Sequence, residues 1–355
     1  MPAPLSVSIQ RHLFDPRTTS WPVDWAAVFG REAPLALEIG FGNGQFLLEQ
    51  ALARPDRDHV GLERSWAGAT RLFKRLDKHG VTNVRAVLGD ADVALEHFFR
   101  RESLDEVWVN HPCPWPKERH HERRLLQPEG LRRVADRLRL GHPLTVVTDH
   151  AAYASWVAER LEAEPALASR HATTEVAAIP GRRPTKYQQK AMDQGVPIHF
   201  FEWEKRSPVP SEEPPLPDSL DPMPSLNLRG ALAAQPLFDG FAAHTLRESH
   251  RDVDIVVKLS AAYARTDRPG EWLVEALVRE DKLKQDFCVL VLERSGEELL
   301  VKLSGLGRPH PTRGVRRAVQ AVGQWLARRH PGLAVVHHNL GEVAAHPLEP
   351  EREPG

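Results

Sequence analysis

Two groups of residues in this 355-residue chain have the types and spacing of a binding site. The first is Gly40-Phe-Gly-Asn-Gly44, directly after the apolar run LALEI and before an amphipathic stretch. Glycines at Gly40, Gly42 and Gly44 permit a tight turn and let the backbone approach a ligand at a helix N-terminus. Glu38 precedes them. Glu63 ends the next apolar run, about 20 residues downstream of the loop, where a carboxylate can accept hydrogen bonds from ribose hydroxyls. Asp90 follows the third run, where it could meet an adenine edge. Singly, each acid reads as a solvated charge and the glycines as a mere turn; three acids in register read as a pocket for a nucleoside-bearing cofactor. The second group is Asn110-His-Pro-Cys-Pro-Trp-Pro-Lys117, followed by Glu118-Arg-His-His-Glu-Arg-Arg124. Its three closely spaced prolines can continue neither strand nor helix, so the loop is held open with Trp115 as a stacking surface. Lys117, Arg119, Arg123 and Arg124 stand beside only two acids, enough to engage several phosphates. The plainer reading of that run is a solvated helix start.

These groups need elements to position them. Short apolar runs at 35–39, 58–62, 84–88, 104–109 and 143–147 are predicted strands. The segments 44–54, 66–79, 93–101 and 130–140, with apolar residues three to four apart, are predicted helices. Strict alternation implies right-handed crossovers and a parallel, doubly wound α/β sheet, whose ligands bind beyond the carboxyl ends of the strands. Both residue groups fall at such ends. The segment 207–225, with seven prolines in nineteen residues, reads as a semi-extended linker without helix or strand. It separates a domain at 1–206 from a smaller one at 226–355. In the latter, predicted strands at 253–259, 271–280, 286–293 and 298–303, a helix at 313–329 and a strand at 333–338 suggest an antiparallel α+β domain. No chemical motif is visible there.

Composition narrows the functional classes. Hydrophobic residues at 41% and charged residues at 27% are ordinary for a globular protein. A formal net charge of −1 means that nucleic-acid binding must rest on local clusters. Two cysteines cannot build a disulfide framework, and Cys113 with His120 and His121 lacks the paired cysteines of a metal site, so no metal is expected. No run of ~18 apolar residues occurs, so a cytoplasmic protein with no membrane contact is expected. A dinucleotide would use the same ribose carboxylate, but its fingerprint prefers G-x-G-x-x-G to the G-x-G-x-G found here. The acids after three successive strands look instead like a pocket for S-adenosyl-L-methionine. An NAD(P)-linked oxidoreductase would also leave the Pro-Trp-Pro-Lys loop without a role.

EIGFGNG, NHPCPWPKERHHERRL, Thr148-Asp-His150, Tyr153, and Thr185-Lys-Tyr-Gln188 followed by Lys190 and Gly195 together resemble the bacterial tRNA (guanine-N(7)-)-methyltransferase family. The resemblance covers residues from about 35 to 205, leaving the C-terminal domain as an addition of unassigned role. It implies a Rossmann-like methyltransferase fold, S-adenosyl-L-methionine as cofactor, tRNA as partner, and methylation of a guanine in the tRNA variable loop. It further implies that Glu38, Glu63 and Asp90, with the three glycines, contact the cofactor. Lys117, Asp149, Thr185, Lys186, Tyr187 and Gln188 would contact the substrate, with Arg123 and Arg124 on its phosphates. Two positions depart: Cys113 stands where the family has aspartate, and Gln188 where it usually has glutamate.

The departures bear on chemistry. Guanine N(7) carries an exposed lone pair and no proton, so attack on a sulfonium methyl needs no general base; the site must orient the ring and stabilise a cationic product. A carboxylate serves both ends, whereas a thiol accepts weakly and is mostly neutral near pH 7. Cys113 at the catalytic position therefore acts as a thiolate, leaves the work to a neighbouring acid such as Asp149, or only packs. A tRNA-binding protein of the same fold with weak or lost catalysis is the alternative that these departures leave open.

Overall fold

The computed structural model describes residues 5–16, 19–182, 184–210, 223–232, 236–250, 253–281, 283–295, 297–307, 309–341 and 343. One compact unit ends and a second begins inside the proline-rich segment, at 214/215. Residues 211–222 of the expected linker lie outside the described residues.

The first unit opens with helices α1 (Leu5–His12) and α2 (Trp25–Phe29). There follow β1 (Leu35–Ile39), α3 (Gln45–Ala53), β2 (Asp58–Glu63), α4 (Trp66–His79), β3 (Val84–Leu88), α5 (Ala91–His97) and β4 (Glu106–Asn110). A 3-10 turn at Glu118–Arg123 leads to α6 (Pro128–Arg137), β5 (Pro143–Thr148), α7 (Ala151–Ala163), β6 (Leu167–Ser169), α8 (Lys186–Asp193) and β7 (His199–Lys205). The sheet order is β3-β2-β1-β4-β5-β7-β6, in which β1 to β5 are parallel.

The expected all-parallel sheet is corrected at one edge, where β7 runs antiparallel to both β5 and β6. HFFEWEK is mostly buried with half-buried positions between, as a strand can be, but β6 has only three residues and is joined to β7 through α8, so this antiparallel edge carries no clear local signal. The linker reading also needs correction at its start: Val209 is buried in the first unit's core and its carbonyl accepts from Arg101 at 2.6 Å.

Every residue of β1 is buried. Period-two alternation sends Leu35, Leu37 and Ile39 into the core shared with α5, α6 and α7, and Ala36 and Glu38 to the other face. Trp108 of β4 pairs in register with Glu38, so Asn110, two residues on, projects from the same face beyond the strand end. On that side α3 and α4 bury Leu47, Leu48, Leu72, Phe73 and Leu76, each such side chain contributing about 1.5–3 kcal/mol. Helix α4 starts where the Ser65 hydroxyl accepts from the Gly68 amide at 3.3 Å and stops at Gly80, in the left-handed region.

The second unit is an antiparallel sheet in the order β14-β8-β13-β12-β11-β10-β9, with α9 (Arg313–Arg329) against it. The strands are β8 (Ser225–Gly230), β9 (His244–His250), β10 (Val253–Ala264), β11 (Glu271–Glu280), β12 (Leu283–Ser295), β13 (Glu298–Leu303) and β14 (Leu333–His338). Strands β8 and β9, absent from the sequence reading, are short and carry polar residues at most outward positions. Val315, Ala318, Val319, Val322 and Leu326 form the helix stripe that meets Ile255, Val257, Val274, Val278 and Val289 of the sheet.

Candidate active site

The glycine loop leaves β1 with Gly40, Gly42 and Gly44 at φ of 76°, 56° and 71°, a region in which side chains with a Cβ are strained. A Cβ at Gly40 or Gly42 would meet nothing within 4 Å, so space lies open beside these two. Gly68 acts differently: a Cβ there would lie 2.3 Å from the Gly42 carbonyl oxygen, which lets the first turn of α4 close against the loop. The Gly42 amide donates to Glu63 Oε2 at 2.8 Å, while Glu63 Oε1 accepts from the amides of Arg64 and Ser65 at 2.8 and 2.9 Å. Glu63 thereby ties the loop to the end of β2. Asp90, exposed at the end of β3, caps α5 by accepting from the Asp92 amide at 3.0 Å.

Glu38 is 1% exposed. The Asn110 side chain donates to its Oε1 at 2.8 Å, and Arg182 donates to Asn110 Oδ1, with its guanidinium 4.6 Å above the Phe46 ring. Glu38 Oε2 has no partner among the described residues. Burial pushes the carboxyl up to about 7, against the pull of Asn110 and Arg182 toward the ionised form. Burial draws Arg182 down to about 10, so it stays cationic at neutral pH. Asn110 was legible only as the start of a loop, and Arg182 not at all. It lies 72 residues from its partner, in GRRPTKYQ, where it reads as one of several surface cations.

The proline-bounded loop leaves β4, adjacent to β1. His111 and Trp115 take φ of 48° and 42°, unusual for residues with a Cβ and held here by the three prolines and by contacts. Asp149, at the end of β5, accepts through Oδ1 from His111 Nδ1 at 3.2 Å. Cys113 is exposed, so the packing reading does not hold for it. Lys117 is exposed, and exposed Arg123 lies with its guanidinium 5.2 Å from the Trp115 ring centre. His120 meets the same ring edge-on at 5.8 Å, so Trp115 is partly covered.

Arg124 is where the structure departs most from expectation. It is 7% exposed and turned inward, its Nε donating to the Pro114 carbonyl at 2.8 Å. Its guanidinium rests 5.3 Å from the Tyr153 ring and 4.8 Å from the Trp156 ring of α7. A side chain so engaged braces the loop and offers nothing to a phosphate. Thr185 and Gln188 are buried as the two halves of a capping box on α8: the Gln188 amide donates to Thr185 Oγ1 at 3.0 Å, and the Thr185 amide to Gln188 Oε1 at 3.3 Å. Glutamine serves that box as glutamate does, which accounts for the departure at Gln188 without a change of role. The side chains of Lys186 and Tyr187 lie outside the described residues.

The tRNA (guanine-N(7)-)-methyltransferase of Alkalilimnicola ehrlichii is 40% identical over 185 residues, covering 52% of this chain and 78% of that protein. The chain belongs to the tRNA (guanine-N(7)-)-methyltransferase family. The enzyme of the same name from Mycolicibacterium paratuberculosis is also 40% identical, over 54% of this chain and 74% of its own length. The family model Methyltransf_4, "Putative methyltransferase", matches residues 32–201. Among solved structures, TrmN from Thermus thermophilus is similar at 19% identity and a TM-score of 0.37, over 51% of this chain and 46% of its own.

The methyl donor of this methyltransferase family is S-adenosyl-L-methionine, and the residues present fit it. Glu38 offers a buried, unpartnered carboxylate oxygen to a cationic group, the glycine loop leaves open space at Gly40 and Gly42, and Glu63 and Asp90 carry acceptors at the next two strand ends. No group of three or more His, Cys, Asp or Glu among the described residues is arranged to hold a metal ion. No helix among them is long and apolar enough to cross a membrane.

Proposed function

We propose that this methyltransferase methylates N(7) of a guanine in the variable loop of tRNA, in the cytoplasm. The observation that carries the reading is the junction at Asn110. This residue ends β4, opens the basic loop, and hydrogen-bonds the buried acid at the head of the glycine loop, so the cofactor side and the substrate side share one strand end. Bound S-adenosyl-L-methionine supplies an electrophilic methyl on a sulfonium. Glu38, Gly40, Gly42, Gly44, Glu63 and Asp90 hold that cofactor. Lys117 and Arg123 engage phosphates, and Trp115 offers a ring face to a base. Asp149, 45% exposed beside His111, stands ready to orient the guanine and to meet the positive charge that develops on its ring. Arg124, Thr185 and Gln188 fix the loop and α8 that carry these groups.

Neither departure from the family pattern speaks for binding without catalysis. Gln188 keeps its capping role, and Cys113 sits exposed on a loop whose His111 meets Asp149 from the end of β5. Incubation with methyl-labelled S-adenosyl-L-methionine and unmodified tRNA, followed by nucleoside analysis, should yield 7-methylguanosine. Label in another base, or none, overturns the reading. In single-turnover assays Cys113→Asp should raise the rate roughly tenfold, equivalent to ~1.4 kcal/mol of added stabilisation of the cationic product. Equal rates would assign that stabilisation to Asp149 alone.

A further inference from the structure

A cavity of about 490 Å³ opens at the glycine loop, between α4 and α8. Its lining includes Gly42 and Glu63, which it shares with the cofactor site, together with Asn43, Arg71, Arg75 and Lys190. Arg71 and Arg75 lie four residues apart on α4 and so share one helix face. Lys190 arrives from α8, whose start is fixed by the Thr185–Gln188 capping box. The only acid in the lining, Glu63, already accepts from three backbone amides. Arg75 spends one donor on the Asn43 carbonyl at 2.6 Å, which attaches it to the tip of the loop. The side chains of Arg71 and Lys190 are exposed and form no ion pair among the described residues. Three cations thus converge on a concave surface with one partly neutralised acid between them, and their mutual repulsion favours an anionic ligand.

We propose that Arg71, Arg75 and Lys190 form a binding site for a backbone phosphate of the RNA substrate, apart from the basic loop that follows β4. The site rests on the tRNA reading above. A phosphodiester is the anion that fits. The cavity is open to solvent as an RNA backbone requires, and three cations exceed what the single carboxylate of the cofactor needs. Because Arg75 is hydrogen-bonded to the glycine loop, a phosphate held here also bears on the segment that holds the cofactor.

The test is the salt dependence of tRNA binding by the full chain and by Arg71→Gln/Lys190→Gln, with S-adenosyl-L-methionine affinity measured on both. The slope of log affinity against log salt should become shallower by roughly 1 to 2 in the double variant, while cofactor affinity stays within about twofold. The charge-preserving Arg71→Lys/Lys190→Arg should keep the full slope. A double variant with the unaltered slope overturns the site. If, in addition, cofactor affinity drops more than about tenfold, the cavity belongs to the cofactor carboxylate. Failure of the unaltered chain to bind tRNA at all overturns the substrate reading, and this site with it.

Discussion

Each unit of the molecule sets a glutamate into its packing, Glu38 fully buried and Glu248 half-buried, and the two are treated in opposite ways. Glu248 of β9 accepts from Arg313 at 2.6 Å and from Arg317, both on α9. Burial pushes it up, yet these two guanidinium groups more than offset that and hold it below the ordinary carboxylate range. Glu38 of β1 is nearly inaccessible, has one oxygen without a partner, and is pushed up to about 7. A carboxylate closed upon its partners holds a fold together. A buried charge with an open valence costs stability and implies a ligand that completes it. The contrast places the chemistry in the first unit and gives the Glu248 cluster with Arg313 and Arg317 in the second a structural role.

Removal of Glu248 should have the largest effect. Glu248→Ala removes the carboxylate that Arg313 and Arg317 share and should destabilise the second unit by roughly 3–5 kcal/mol, read as lost amide-exchange protection in β9 and α9. Retained protection would show that the arginines find other partners and would weaken the contrast. The pH dependence has the sign of a lowered carboxyl: this contribution is present above the unfolded value and lost as pH falls through the folded one.

Glu38→Gln tests the other side of the comparison. It should weaken S-adenosyl-L-methionine binding roughly 10- to 100-fold, the loss of one charge-assisted contact of ~1.5–3 kcal/mol. Glu38 in the folded state binds a proton up to about 7, against an ordinary value of 4.5, so its ionisation costs stability that is lost as pH rises through that window. Glu38→Gln should therefore stabilise the cofactor-free first unit at pH 8 by roughly 1–3 kcal/mol. In the unaltered chain cofactor affinity should rise between about pH 6 and 8 with release of a proton, measurable by calorimetry in buffers of different ionisation enthalpy. A pH-independent affinity would remove Glu38 from the cofactor site.

The smallest effects separate two neighbours within the basic loop. Arg123→Ala should make the salt slope of tRNA binding shallower by about 0.7–0.9, the loss of one phosphate contact. Arg124→Ala should leave that slope unchanged and slow methylation roughly fivefold, about 1 kcal/mol of lost loop positioning. The reverse pattern would return Arg124 to the phosphates.

Local pattern determined much of this protein. Alternating strand and helix signals predicted the first five strands of the first sheet, and the glycines, Glu38, Glu63 and Asp90 fell at strand ends because a strand's exit point is written in its own residues. The Pro-Trp-Pro-Lys segment announced an open loop for the same local reason. Tertiary structure alone decided what spans the chain. It brought Arg182 back 72 residues to Asn110, turned Arg124 inward onto Tyr153 and Trp156 while Arg123 stayed out, and set Lys190 opposite Arg71 and Arg75. Adjacent arginines are identical to any sequence pattern. Which of them meets water and which meets a carbonyl follows from the direction of each side chain relative to a neighbouring helix, and that direction exists only once the chain has packed.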